Sequence, residues 1–137
     1  MSIAKWAAPS ARSANIASTT LNSLANGSES TAVTYNNSAN YDLYAVVTIK
    51  LGSITPTTGG SITLRVTLND GTDTADRIGG DQYIIPLTTT TGAKVAVVNM
   101  VRLYPFNCLL SVVNNSGVTL NAAGNEMYVR AWNEDIV

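Results

Sequence analysis

The chain has 137 residues, which is enough for one domain with a single buried core. Only 12% of the residues are charged, about half the share of a typical soluble protein. The net charge of −1 gives no basic field that would attract phosphates, so we expect no nucleic-acid partner. Its 12 Ser, 17 Thr and 14 Asn favour strands and turns over helices.

Residues 1–26 are predicted to form an N-terminal arm or linker that precedes a β-sandwich domain over residues 27–137. The first twelve residues show no strand or helix period, but they contain the large apolar side chain of Trp6. Packing of the arm on its own domain or on a neighbouring subunit would explain this residue equally well. Lys5 and Trp6 interrupt the apolar run that a secretory signal needs, and no stretch is long enough to span a membrane. We therefore expect no Sec-type export and no membrane partner.

From residue 40 onward, apolar and polar residues alternate with the period of a β-strand. This pattern predicts that six residues face the core: Tyr41, Leu43, Ala45, Val47, Ile49 and Leu51. The opposite face is also partly apolar, so the strand is predicted to be central in its sheet or covered by a neighbouring subunit. Residues 61–69 repeat the alternation.

Further strands are predicted over residues 82–87, 93–103, 108–113 and 126–132, with a weaker pair over residues 16–24 and 30–35. A short helical turn within residues 13–26 is the alternative to the first of this weaker pair. Turn signals rich in Gly and Asn separate most of these segments. The sequence thus predicts an all-β protein with a single, jelly-roll-like β-sandwich of about eight antiparallel strands after an N-terminal arm.

The chain contains no histidine, which removes the commonest general base and the usual zinc ligand. A carboxylate-only glycosidase would need two acidic residues in one cleft, whereas most of the acidic residues are predicted in turns. We therefore expect no enzymatic activity, cofactor or small-molecule substrate. Asp70, Asp73 and Asp76 are weak candidates for a calcium site, but they lack the alternating ligand order of a calcium loop, and a solvated hairpin loop is favoured. Cys108 is predicted to be a buried small hydrophobic residue.

Aromatic residues give the clearest candidates for an interface. Tyr44, Tyr128 and Trp132 are predicted on the outward faces of their strands, where they would either decorate the sheet or contact a neighbouring chain. Trp6 would anchor the arm, with the cations Lys5 and Arg12 beside it. These six residues are the predicted interface set.

Five segments resemble small virion proteins of tailed bacteriophages: KWAAPSAR (5–12), TTLNSLAN (19–26), NSANYDLY (37–44), VNNSG (113–117) and YVRAWNE (128–134). The resemblance implies a capsid decoration or cement protein that binds the major capsid protein. It also implies a homotrimer on the surface of the virion, made in the host cytoplasm. The alternative is an adhesion module of a tail fibre, spike or baseplate that binds host glycan. Such a module should have a shallow groove lined by Tyr or Trp, with Asp or Asn beside it.

Overall fold

The computed structural model describes residues 2–69 and 80–136, and within them every regular element is a β-strand. The nine strands of this part of the chain are β1 Ala4–Trp6, β2 Val33–Asn36, β3 Tyr44–Ile54, β4 Ser61–Asn69, β5 Asp81–Pro86, β6 Gly92–Arg102, β7 Asn107–Asn115, β8 Glu126–Trp132 and β9 Glu134–Ile136. All the pairings between them are antiparallel. The prediction of an all-β fold is confirmed.

Two sheets enclose the core, as expected for a β-sandwich. One has the strand order β2-β7-β4-β5 and the other has the order β6-β3-β8, while β1 and β9 pair separately. Alternate residues of β3 and β4 point inward because successive side chains of a strand face opposite sides of its sheet. The inward residues are fully or almost fully buried: Ala45, Val47, Ile49 and Leu51 in β3, and Ile62, Leu64 and Val66 in β4. The period-2 interpretation of these two segments is confirmed.

The beginning of the β3 alternation was predicted wrongly. Tyr41 and Leu43 are exposed, at 59% and 43%, whereas they were expected in the core. The reason is a loop held by Asn37, whose Nδ2 donates to the carbonyls of Asp42 and Tyr104 and whose Oδ1 accepts from the Asp42 amide. Tyr41 adopts a φ of 52° in this loop, which breaks the extended geometry that the alternation assumes.

The predicted strand over residues 16–24 is also wrong, because turns occupy this segment. The amide and the hydroxyl of Thr20 both donate to the carbonyl of Ala17, which closes a tight turn. Ala17 and Leu21 are both fully buried and belong to the core of the sandwich. Residues within the predicted arm therefore fill part of the hydrophobic core.

Residues 7–16 run along the outer edge of β8 without forming a strand. Every third residue donates its amide to a β8-side carbonyl: Ala7 to Asn133, Ser10 to Ala131, Ser13 to Val129 and Ile16 to Met127. Side-chain oxygens supply the missing acceptors, since Ser13 Oγ accepts from the Val129 amide and Asn15 Oδ1 from the Met127 amide. This segment forms hydrogen bonds with the backbone groups at the edge of β8, which would otherwise be open to another chain.

Cys108 is completely buried in β7, which confirms its interpretation as a small hydrophobic residue. Burial is the main cause that raises the pKa of its thiol, so little of the reactive thiolate exists at neutral pH. We expect the folded chain to react with a thiol-specific disulfide reagent at least about a hundredfold more slowly than the urea-unfolded chain, because reaction requires the core to open. Equal rates in both states would show that Cys108 is accessible.

Candidate functional site

Three of the predicted interface residues lie on the outward face of the three-stranded sheet. Tyr44 of β3 is opposite Trp132 of β8, and Tyr128 of β8 is opposite Thr48 of β3. All three aromatic side chains are half-buried. Their strands place them there because the intervening β8 residues, Val129 and Ala131, face the core.

Trp6 joins two of these residues in an aromatic cluster. Its ring centroid is 5.9 Å from that of Tyr44 and 6.1 Å from that of Trp132, and both contacts are edge-on. Tyr44 and Trp132 are themselves 6.0 Å apart. Such distances and angles are favourable for aromatic pairs. Trp6 is nevertheless 59% exposed, so most of its surface remains open to a partner.

A groove of about 440 Å³ lies beside the aromatic cluster. It is lined by Trp6, Ala7, Pro9, Val46, Met100, Arg130 and Trp132. The lining is mostly apolar, and its one charged group is the guanidinium of Arg130. The groove is therefore suited to binding an apolar group of a partner.

Met100 reaches this groove because β6 contains a bulge. The pairing of β6 with β3 shifts between Val98 and Val101, and Met100 has a φ of 105° and is 55% exposed. A positive φ at a residue with a side chain costs on the order of 1–3 kcal/mol. The sequence analysis missed Met100, although the inward residues Val98 and Val101 are three positions apart instead of two, which is the signature of a bulge.

The two ends of the chain form a small ribbon next to the groove, built from β1 and β9. Its register pairs Ala4 with Ile136, Lys5 with Asp135 and Trp6 with Glu134, and all six residues are exposed. A two-stranded ribbon on its own is marginally stable in water. Ile136, which pairs with Ala4 and is 79% exposed, adds apolar surface to the ribbon. The ribbon is therefore well suited to be covered by a partner.

A polar cluster surrounds Tyr128 on the same face. The Arg12 guanidinium lies 4.0 Å from the Tyr128 ring centroid, and the Lys50 ammonium lies 5.2 Å from it. The Tyr128 hydroxyl donates to Glu126 over 2.8 Å, and Lys50 forms an ion pair with Glu126 at 3.3 Å. The structure thus brings Trp6, Arg12, Tyr44, Tyr128 and Trp132 onto one face, while Lys5 lies in the adjoining ribbon.

The hydrogen bond between Tyr128 and Glu126 changes the pKa of both residues. The Tyr128 hydrogen bond, followed by Lys50, lowers the pKa of Glu126, and the same bond raises the pKa of Tyr128. The small contribution of Glu126 to stability should thus be present above its unfolded-state pKa and be lost as the pH falls through the lowered value. We expect Tyr128→Phe to raise the pKa of Glu126, as measured by NMR titration of its carboxyl carbon. Tyr44→Phe is the control, and an equal shift in both variants would contradict the assignment.

The calcium candidates Asp70, Asp73 and Asp76 lie outside the described residues. Among residues 2–69 and 80–136, no group of three or more Cys, Asp or Glu side chains is arranged to hold a metal ion. The same part of the chain has no helix long and apolar enough to cross a membrane. Comparison with protein-family models, with curated proteins and with solved structures found no match to this chain.

Proposed function

We propose that this chain is a non-enzymatic structural protein of a tailed-bacteriophage virion, which decorates and reinforces the capsid by binding the major capsid protein. The observation that carries the proposal is the surface formed by the aromatic cluster, its groove and the β1–β9 ribbon. Trp6 and Ile136 expose large apolar side chains there. Buried aromatic anchors surrounded by a polar rim are typical of stable protein interfaces.

Trp6 is proposed to be the central anchor of the capsid contact. Its edge-on contacts with Tyr44 and Trp132 hold the indole in place, so little conformational entropy is lost on binding. Lys5, next to Trp6 in β1, and Arg12, which lies over the Tyr128 ring, are proposed to face acidic groups on the capsid. In this arrangement the arm binds from its position along β8 and does not have to detach from its own domain.

We propose that the homotrimer implied by the resemblance to phage virion proteins forms only on the surface of the head, where contacts with the capsid hold the three copies together. This part of the proposal rests on the resemblance of the five sequence segments to such proteins, and it is independent of the aromatic surface.

A jelly-roll connection of the strands is also proposed. The orders β2-β7-β4-β5 and β6-β3-β8 fit two interleaved Greek keys if residues 7–16 take the outermost position beside β8. An experimental structure with residues 7–16 away from β8 would remove the fourth position from the smaller sheet and contradict this topology.

An adhesion module for host glycan is the second candidate, because the groove is lined by two tryptophans that could stack on sugar rings. Neither Asp nor Asn is among the lining residues, although these side chains would be needed beside the aromatic rings to bind sugar hydroxyls. The lining therefore favours a protein partner. A glycan array would decide between the two, since specific binding to one glycan class would favour the adhesion module.

Cryo-electron microscopy of particles that carry this protein is the experiment that tests the proposal. We expect symmetry-averaged density at regular positions on the head, with the Trp6 face turned towards the capsid lattice. Density confined to the tail tip or to spikes would refute the decoration role. Density on the head with the Trp6 face turned outward would refute the assignment of the contact surface.

A further inference from the structure

The edge strand β6 differs from the other sheet edges of the described chain. The opposite edge of its own sheet, at β8, is covered by residues 7–16. In the four-stranded sheet, the edge strand β2 has only four residues and the edge strand β5 contains Pro86. Short strands, proline and a covering segment all prevent pairing with another chain. Over its 11 residues, β6 has no proline, and no segment among residues 2–69 and 80–136 pairs with its outer edge.

Charge does not protect this edge either. Lys94 is the only charged residue between Gly92 and Arg102, and it is 91% buried on the core side. Its ammonium group donates to the hydroxyls of Thr88 and Thr90, each over 3.0 Å, and to the Thr90 carbonyl. The charge is thus used within the preceding loop and does not project from the strand edge. The register between β6 and β3 shifts only near the two ends of β6.

The regular part of β6 is short and centred on one residue. Its continuous register with β3 runs from Lys94 to Val98, and Ala96 is the middle of these five residues. Val95 and Val97 lie on either side of Ala96, point outward, and are 65% and 47% exposed. If two copies paired antiparallel with Ala96 opposite Ala96, Val95 of each copy would lie opposite Val97 of the other. Opposed β-branched pairs of this kind stabilise antiparallel sheets.

We propose that β6 is a self-association edge, through which two copies of this chain pair their three-stranded sheets into one continuous six-stranded sheet. The occupant is a second copy because an antiparallel edge with apolar residues placed evenly about its centre is complementary to itself. A five-residue ladder spans about 17 Å and, by itself, buries less than a standard stable interface, so we expect a weak dimer. The contact requires only this chain and does not depend on a capsid.

Sedimentation velocity of the full chain from about 1 µM to about 1 mM, a range that covers weak association, tests this proposal. We expect a reversible equilibrium between monomer and dimer. Val97→Lys places a charge next to the centre of the proposed contact and should raise the dimer dissociation constant at least about tenfold. Ala122→Lys, which adds the same charge to an exposed loop residue, should leave it unchanged. Circular dichroism checks that both variants are folded.

Cysteine cross-linking tests the register. The variants Val95→Cys and Val97→Cys should form a disulfide-linked dimer efficiently when they are mixed and oxidised, because directly opposed residues are within disulfide range. Each variant alone should cross-link poorly, since identical positions are diagonal neighbours about 7–8 Å apart. A chain that stays monomeric throughout, a trimer, a dimer insensitive to Val97→Lys, or equal cross-linking of the single variants and the mixture would each overturn the proposal.

Discussion

Replacing Asn114 with alanine is expected to lower the free energy of unfolding by about 3 kcal/mol. Asn114 is completely buried, and its Nδ2 donates to the carbonyls of Leu24 and Val118 over 2.9 and 2.8 Å. Its Oδ1 accepts from the Ser116 amide over 3.1 Å. Alanine would remove these three bonds, including the acceptor of the Ser116 amide, and would also create a small cavity. The Leu24 carbonyl would keep the Leu120 amide as a donor, and the Val118 carbonyl would keep the Ser116 hydroxyl.

Urea denaturation measures this effect, and the neighbouring residue provides a matched control. Asn115 is exposed, so Asn115→Ala removes the same side chain from the same strand and should change the free energy of unfolding by no more than about 0.5 kcal/mol. Asn114→Asp keeps the shape and the acceptor but removes the two donated bonds, and it should be destabilising as well. Similar midpoints for Asn114→Ala and Asn115→Ala would contradict a structural role for the buried amide.

The regular strands were predictable where alternate residues are apolar and point towards the core. The predicted segment of residues 61–69 agrees with β4, and that of residues 126–132 agrees with β8. In both, every second residue is apolar, and burial of that face fixes the register of the strand, since a shift of one residue would expose all of it. Alternation thus contains enough information to locate such strands without knowledge of their neighbours.

The contacts that shape the loops were not predictable, because they join residues far apart in the sequence. The high Asn content indicated turns, but it did not show that Asn114 bonds to Leu24, 90 residues away, or that Asn37 bonds to Tyr104, 67 residues away. Tyr41 continues the apolar alternation of β3 in the sequence, but the loop held by Asn37 places it outside the core. The local pattern of apolar residues cannot distinguish an exposed residue such as Tyr41 from the buried residues of β3.

In the candidate site too, the strand residues were predictable and the long-range contacts were not. The alternation of β3 and β8 places Tyr44, Tyr128 and Trp132 on outward faces, so these residues could be selected from the sequence. The position of Trp6 depends on pairing between the two ends of the chain, and no local signal predicts this pairing. The bulge that brings Met100 to the groove is indicated in the sequence only by the irregular spacing of the inward residues.

Replacing Trp6 with alanine is expected to weaken the proposed binding to the capsid by at least about thirtyfold, the loss typical of an aromatic hot-spot residue. The indole exposes 59% of its surface while two aromatic neighbours fix its orientation, so it can bury a large apolar area on a partner. Because it is mostly exposed, its removal should lower the free energy of unfolding by no more than about 2 kcal/mol. Binding is measured by co-sedimentation of the purified chain with phage heads that lack it.

Ile84→Ala is the matched control for this measurement. Ile84 exposes 71% of its surface, and it lies on the outer face of the other sheet because its neighbours Tyr83 and Ile85 pack against the core. Removal of this apolar side chain should leave capsid binding unchanged, since the proposed contact is formed only by the face that carries Trp6. If Ile84→Ala weakened binding as much as Trp6→Ala did, the capsid contact would have to include the four-stranded sheet. If neither variant weakened binding, the aromatic cluster would have no part in it, and its outward tryptophans would then serve to hold the two ends of the chain against β3 and β8.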